Sequence, residues 1–336
     1  MQHIVPVKQS KAEGLVADVY SQIKQDFGRI VEPFTLHSPT PSLLAGVWMA
    51  SRESELVGNV PREIKEAIAA SVSKLNQCLY CVDAHTIMIR ATGEKRIAQL
   101  IAQEQYDKIK PNQTQKTVKW ALSTLSPESK LVESPPFEAN EAPEIIGTAV
   151  FYHYINPMVT IFLGNSPLPV PFFKAQMKQI ASRLFKKAVN RPKITGTSLT
   201  LLPNRELPKD LSWAKKSPHI AGAYARLAGA IKDLEKTVVP KQTQQTVKQF
   251  TTEWSTETQD IGSEWLKQAT IKMNPQNKVA TTLALLTAFA PYKMTKETIN
   301  NFRRFFPQQN QLLGITAWAS FTKARRIGDW LNNQSL

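Results

Sequence analysis

The chain is predicted to be all-α, on three observations. Apolar residues recur at helical spacing along nearly all of its 336 residues. Period-two alternation is missing, and only 13 glycines are available for tight turns. Prolines 39, 41, 61, 111, 127, 135, 136, 240 and 291 fall between the apolar runs, where helix punctuation belongs. Hydrophobic content of 42% and charge of 21% are those of a folded, core-building protein.

In chain order, helices are expected over residues 12–26, 41–57, 61–75, 79–103, 115–125, 142–163 and 172–189. They resume after a Pro-rich interval over 210–236, 240–254, 261–273, 278–290, 295–305 and 309–333. Pro61 and Pro240 each open a helix, a position where a missing N–H costs nothing. Asn76 and Gln77 form the turn between the third and fourth helices. In residues 172–193, Phe173, Met177, Ile180, Leu184 and Ala188 recur every three or four positions, so a basic amphipathic helix is expected to pack that stripe on its own protein.

The two halves resemble each other. "SPTPSLLAGVWMA" from Ser38 has a relative in "SPHIAGAYARLAG" from Ser217, an offset of 179, and Pro61 meets Pro240 at the same offset. "LSPES" at 125–129 matches "FAPYK" at 289–293, and "IIGTAVF" at 145–151 matches "LLGITAW" at 312–318, with offsets of 164 and 167. The expected organisation is one helical unit over 1–165, a linker with the basic helix over 166–208, and a second copy over 209–336. The two copies would form an internal pseudo-dimer, each covering the other's apolar face.

Net charge is +15, carried mostly by lysines scattered along the chain with no arginine block interleaved with aromatics. No nucleic-acid partner is expected. Apolar windows such as 279–292 are too short to span a bilayer, and no early stretch has the make-up of a secretory signal. A cytoplasmic protein without a transmembrane segment is therefore expected, with a homo-oligomer left open. Glycine-rich phosphate loops, HExxH and GxSxG are missing.

Chemistry concentrates in "CLYCVDAH", residues 78–85, which holds both cysteines. Val82 stands where a c-type haem site needs histidine. A structural zinc site usually takes four ligands from two such pairs, and here Cys78, Cys81 and His85 would need a carboxylate to complete it. Inert buried thiols are a further alternative. The fourth is a redox dithiol. A CxxC at a helix start sets the sulfurs one turn apart, and the helix N-terminus with a nearby base lowers a thiol's pKa. His85 follows Cys81 by four residues on the same helical face. Across the turn, the mirror position of His85 falls near Ala67, and the adjacent Glu66 either holds the imidazole in one tautomer or is an ordinary exposed acid of a first helical turn. His153 reads as a core histidine, while His37 and His219 read as caps or surface groups beside Ser-Pro helix starts.

Glu66, eleven residues, Cys78-Leu79-Tyr80-Cys81, three residues and His85 together resemble the E-x11-C-x-x-C-x3-H pattern of the alkylhydroperoxidase D-like (AhpD-like) and carboxymuconolactone decarboxylase superfamily. The surrounding "PREIKEAIAASVSKLNQCLYCVDAHT" and "FTLHSPTPSLLAGVW" are similar to its peroxidase-related members, and the resemblance covers about residues 20–165. It implies an all-helical AhpD-like fold and an oxidoreductase that reduces organic hydroperoxides or disulfides. It also implies roles: Cys81 as attacking thiolate, Cys78 as resolving thiol, and His85 with Glu66 as proton relay. No bound cofactor or metal is implied; a thiol-reducing protein or small thiol would restore the dithiol. The best-studied branch has histidine between the cysteines, whereas Tyr80 stands here and is no base at neutral pH. A carboxymuconolactone decarboxylase-like enzyme and a non-catalytic redox sensor or interaction protein are the alternatives. In the second half, Glu66, Cys78, Cys81 and His85 meet Gln245, Glu257, Asp260 and Glu264, so the second copy is expected to serve in packing.

Overall fold

The structure is a computed structural model that describes residues 1–167, 174–254 and 264–333. Among these residues the fold is helical and no strand occurs. The first half contains α1 (Gly14–Phe27), α2 (Pro41–Ser51), α3 (Arg62–Leu75), α4 (Leu79–Thr92), α5 (Lys95–Ala102), α6 (Asn112–Leu122) and α7 (Ala142–Phe162). α8 (Lys174–Asn190) connects to α9 (Pro218–Val238), α10 (Lys241–Glu253), α11 (Glu264–Thr270), α12 (Pro275–Phe289), α13 (Lys296–Arg303) and α14 (Gln309–Asn333).

Two expected helices are each broken. The run 79–103 stops at Gly93, whose φ of 116° lies in the left-handed region and ends α4 before α5 begins. The run 210–236 starts as a short 3-10 turn, Lys209–Ala214, and becomes α-helical only at Pro218. α2 continues into a π-helical turn, Arg52–Leu56, where the widened backbone turns five successive side chains inward.

One continuous apolar core runs through both halves. α7 packs along α14, and α2 along α9. At the second crossing a Cβ on Gly46 would stand 3.0 Å from the Leu227 Cα, so the helices meet nearly backbone to backbone. Tyr224 of α9 donates to the Gly147 carbonyl at 2.5 Å, and Ser320 of α14 donates to the Tyr154 carbonyl at 2.7 Å. α7 is the one described helix long and apolar enough to cross a membrane by length and composition, but 94% of its most apolar window is buried inside the protein.

α8 differs from expectation. It packs on α4, as an amphipathic helix should, but through Phe185 and Val189 against Met88 and Ala91. Ile180 and Leu184, from the expected stripe, are 57% and 68% exposed. The Lys178–Asp83 ion pair at 2.6 Å and the buried Ser182 hold the helix on the adjacent face. Phe173 and most of "SPLPVP" lie outside the described residues.

His37 is also not the cap or surface group expected. It is fully buried, its Nε2 lies 3.0 Å from the Tyr154 hydroxyl, and burial pushes its imidazole down to about 3. His153 is a core histidine, held between Asn76 at 3.2 Å and Thr124 at 2.9 Å. His219 is half-buried beside Ser217.

Candidate active site

The α3–α4 hairpin brings the sequence-selected residues together. Ala67, Ala70, Ser71 and Ser73 are small and buried, so α4 can lie close against α3. Gln77 takes a φ of 57° in the turn, and the Cys78 N–H returns to the Ser73 carbonyl at 2.9 Å. Cys78 is then the N-cap of α4, with Cys81 in its first turn and His85 one turn further on.

The sulfurs of Cys78 and Cys81 lie 2.9 Å apart, and both residues are buried. Their acidities diverge. Burial disfavours the Cys78 thiolate, but hydrogen bonds from the Cys81 thiol and backbone N–H and from Thr160 lower its pKa overall. Burial and the charge on Cys78 push Cys81 well up, against hydrogen bonds from Asn156 and Ser73. The acidifying effect expected of the helix start therefore falls on Cys78, the residue at the cap. The pair behaves as one dithiol sharing protons.

His85 Nδ1 donates to Glu66 Oε2 at 2.6 Å, which leaves Nε2 free to accept a proton. Glu66 is fully buried, so it is not an exposed first-turn acid. Burial alone would raise its pKa, but the Arg62 guanidinium, 2.5 Å away, and His85 hold it below the usual carboxylate range. Burial lowers His85, yet Glu66 and Glu55 raise it overall above an ordinary histidine.

Glu55, Arg62 and Tyr152 complete the cluster, and the sequence reading missed all three. Glu55 sits in the π-helical turn at 2% exposure. Its Oε2 accepts from the Tyr152 hydroxyl at 2.8 Å, and its Oε1 lies 3.7 Å from His85 Nδ1 and 3.9 Å from Arg62. Burial and the neighbouring Glu66 raise its pKa, despite Arg62 and His85. The Tyr152 ring meets the His85 ring edge to face at 4.6 Å. Arg62 did leave a sequence signal, since it precedes Glu66 by one helical turn in "PREIKE". Glu55 left none, because "SRESEL" reads as a charged helix end until a π turn folds it inward.

Cys81, His85, Glu66, Glu55, Arg62 and Tyr152 face one cavity of about 330 Å³. Its other walls are mainly apolar, including Ile30, Phe34, Ile87 and Met88, with Phe185 of α8 closing one side. Tyr80 also lines it and donates to Glu32 at 3.1 Å. Burial and Glu32 raise the Tyr80 phenol far above its ordinary value, so it is no proton acceptor. The carboxylate and imidazole atoms of Glu55, Glu66 and His85 lie within 4.8 Å of one another, close enough to share a positive charge. The Arg62 guanidinium already stands against both carboxylates and supplies the positive charge there. A larger cleft, about 770 Å³, opens in the second half and is lined by Arg205, Asp210, Asp233 and Arg325. Arg325 pairs with Asp210 at 2.5 Å and Arg205 with Asp233 at 3.0 Å, and no thiol or imidazole lines it. The thiol, imidazole and paired carboxylates thus line the smaller of the two cavities. Of the second-half counterparts, Gln245 and Glu264 are exposed, and Glu257 and Asp260 lie outside the described residues.

No protein-family model matches the chain. It is 36% identical, over 331 residues, to a Mycobacterium tuberculosis (strain ATCC 25618 / H37Rv) protein named alkyl hydroperoxide reductase Rv2159c; the match spans 98% of this chain and 94% of that one. A solved structure described as the alkylhydroperoxidase AhpD core, an uncharacterized peroxidase-related protein from Ralstonia eutropha JMP134, is similar at a TM-score of 0.40 and 22% identity, covering 56% of this chain and 100% of that one.

Proposed function

The chain belongs to the family of the Mycobacterium tuberculosis alkyl hydroperoxide reductase, and from that premise we propose that it is a thiol-dependent peroxidase that reduces organic hydroperoxides with the Cys78–Cys81 dithiol. One observation carries the reading. A His85–Glu66 pair, 2.6 Å apart with its carboxylate fully buried, shares a cavity with Cys81, whose sulfur stands 2.9 Å from that of Cys78.

Cys81 is the attacking residue on grounds of access, since it lines the cavity and Cys78 does not. His85 Nε2 takes the proton from the Cys81 thiol, and Glu66 stabilises the imidazolium through Nδ1. The thiolate bonds to the terminal peroxide oxygen as the O–O bond breaks. Sulfur is oxidised to the sulfenic acid, and the other oxygen leaves as alcohol once protonated. The Cys78 sulfur then attacks the Cys81 sulfur, forming a disulfide, and the displaced hydroxide takes the proton released by the Cys78 thiol and leaves as water. An external thiol, small or on a protein, restores the dithiol by exchange. A reducing compartment such as the cytoplasm suits this cycle, because the disulfide forms only in passing. We also propose that the second half is a degenerate copy of the first that serves in packing.

Turnover of cumene hydroperoxide with dithiothreitol tests the reading. The wild type is expected to consume peroxide, and Cys81→Ser to abolish consumption. Equal rates in the two proteins would remove the dithiol from the chemistry, and no rate in either would remove the activity.

A further inference from the structure

Cleavage of an alkyl hydroperoxide releases an alkoxide, a poor leaving group until it is protonated. The His85–Glu66 pair accounts for removal of the thiol proton and leaves open what delivers a proton to that oxygen. Tyr80, in place of the histidine that the best-studied branch carries, cannot cycle as a base.

We propose that Glu55 is the general acid of O–O cleavage, giving its carboxyl proton to the departing alkoxide; the proposal rests on the peroxidase reading above. Glu55 faces the same cavity as Cys81 and His85. Its neighbours divide the charge unequally. Arg62 and His85 lie 2.5 and 2.6 Å from the Glu66 carboxylate but 3.9 and 3.7 Å from that of Glu55. Two buried carboxylates around one guanidinium favour one ionised and one neutral member. Glu66 has the close cationic contacts, and the closest contact of Glu55 is the neutral Tyr152 hydroxyl at 2.8 Å. The upward pull on Glu55 from burial and Glu66 agrees with this division. At the offset of 179, Glu55 meets Leu234, so the half without thiols lacks this acid as well.

The step balances. The Cys81 thiolate forms an S–O bond, the O–O bond breaks, and sulfur loses two electrons to the peroxide. The alkoxide takes the Glu55 proton and leaves as alcohol. His85, made doubly protonated when Nε2 takes the Cys81 proton, restores Glu55 by giving up its Nδ1 proton across a gap of 3.7 Å that a small shift of either side chain closes, and solvent exchange returns the imidazole to its starting tautomer. One proton thus leaves the thiol and one arrives on the alcohol.

The test compares tert-butyl hydroperoxide, which releases a strongly basic alkoxide, with peracetic acid, which releases acetate and needs no proton. For Glu55→Gln, kcat/KM is expected to fall about 100-fold with tert-butyl hydroperoxide, in the range for loss of a general acid, and about tenfold less steeply with peracetic acid. The rate of thiol alkylation by iodoacetamide should stay near wild type. Equal losses on the two oxidants, or no loss on either, would overturn the assignment. Glu55→Asp keeps an acid in a shorter reach, so its preference for peracetic acid should lie between those of wild type and Gln; a wild-type preference in both variants would also overturn it. If the wild type consumes neither oxidant, the peroxidase reading itself fails and this proposal fails with it.

Discussion

Glu66 shows how one carboxylate sets the working range of its neighbour. It raises the His85 pKa against the pull of burial, so the imidazole becomes neutral only above an ordinary histidine's range. Turnover that needs neutral His85 should rise with pH through that elevated value. Removing the negative charge by Glu66→Gln lowers the pKa of His85, so the acid limb of the pH–rate profile should move to lower pH. The plateau should fall about 10- to 100-fold, because a weaker base accepts the thiol proton less well. An acid limb that does not move would separate Glu66 from the relay. His85 and Glu66 were legible in the sequence because a hairpin places residues equidistant from its turn side by side. Glu55 was not, because a π turn and a partner from α7 decide which way it faces.

At the scale of single elements, α8 is the instructive one. The sequence supported amphipathicity but pointed to the wrong stripe. The faces bearing 180/184 and 181/185/189 lie about 100° apart, and the Lys178–Asp83 pair selects the second. Leu184→Ser should therefore change unfolding free energy by less than about 0.5 kcal/mol, as at other surface positions. Phe185→Ala should cost more, about 1–3 kcal/mol for a partly buried aromatic, and should raise KM for bulky hydroperoxides by opening the cavity wall. Chemical denaturation and steady-state kinetics check the two variants, and a larger loss from Leu184→Ser would contradict the packing described. The break at Gly93 is a smaller case: periodicity continues across it, and only its left-handed backbone ends α4.

The whole molecule is held by contacts between its halves. α2 against α9 and α7 against α14 bury surfaces that neither half covers alone. Trp330 of α14 donates to the Thr124 carbonyl at 3.0 Å, and Tyr224 of α9 reaches Gly147 of α7. A chain ending at residue 165 would expose the faces of α2 and α7, which here are almost wholly buried. Such a chain should lack a cooperative thermal transition or aggregate, and it should have no peroxidase activity; a cooperative, active monomer of that length would contradict the shared core. Helix order and the paired motifs at offsets of 179, 164 and 167 were readable in the chain. That both halves would bury one core followed from their apolar faces, but the backbone-close crossing at Gly46 and Leu227 appears only once the helices pack.

By itself the sequence determined helical periodicity, the hairpin and the thiol, imidazole and carboxylate on its facing sides, because these depend on neighbours a few residues or one turn apart. The tertiary structure alone decided which sulfur carries the lowered pKa, which face of α8 is buried, and that Glu55 and Tyr152 enter the site. Those outcomes depend on burial and on charges brought together from distant parts of the chain, and local spacing carries no record of either.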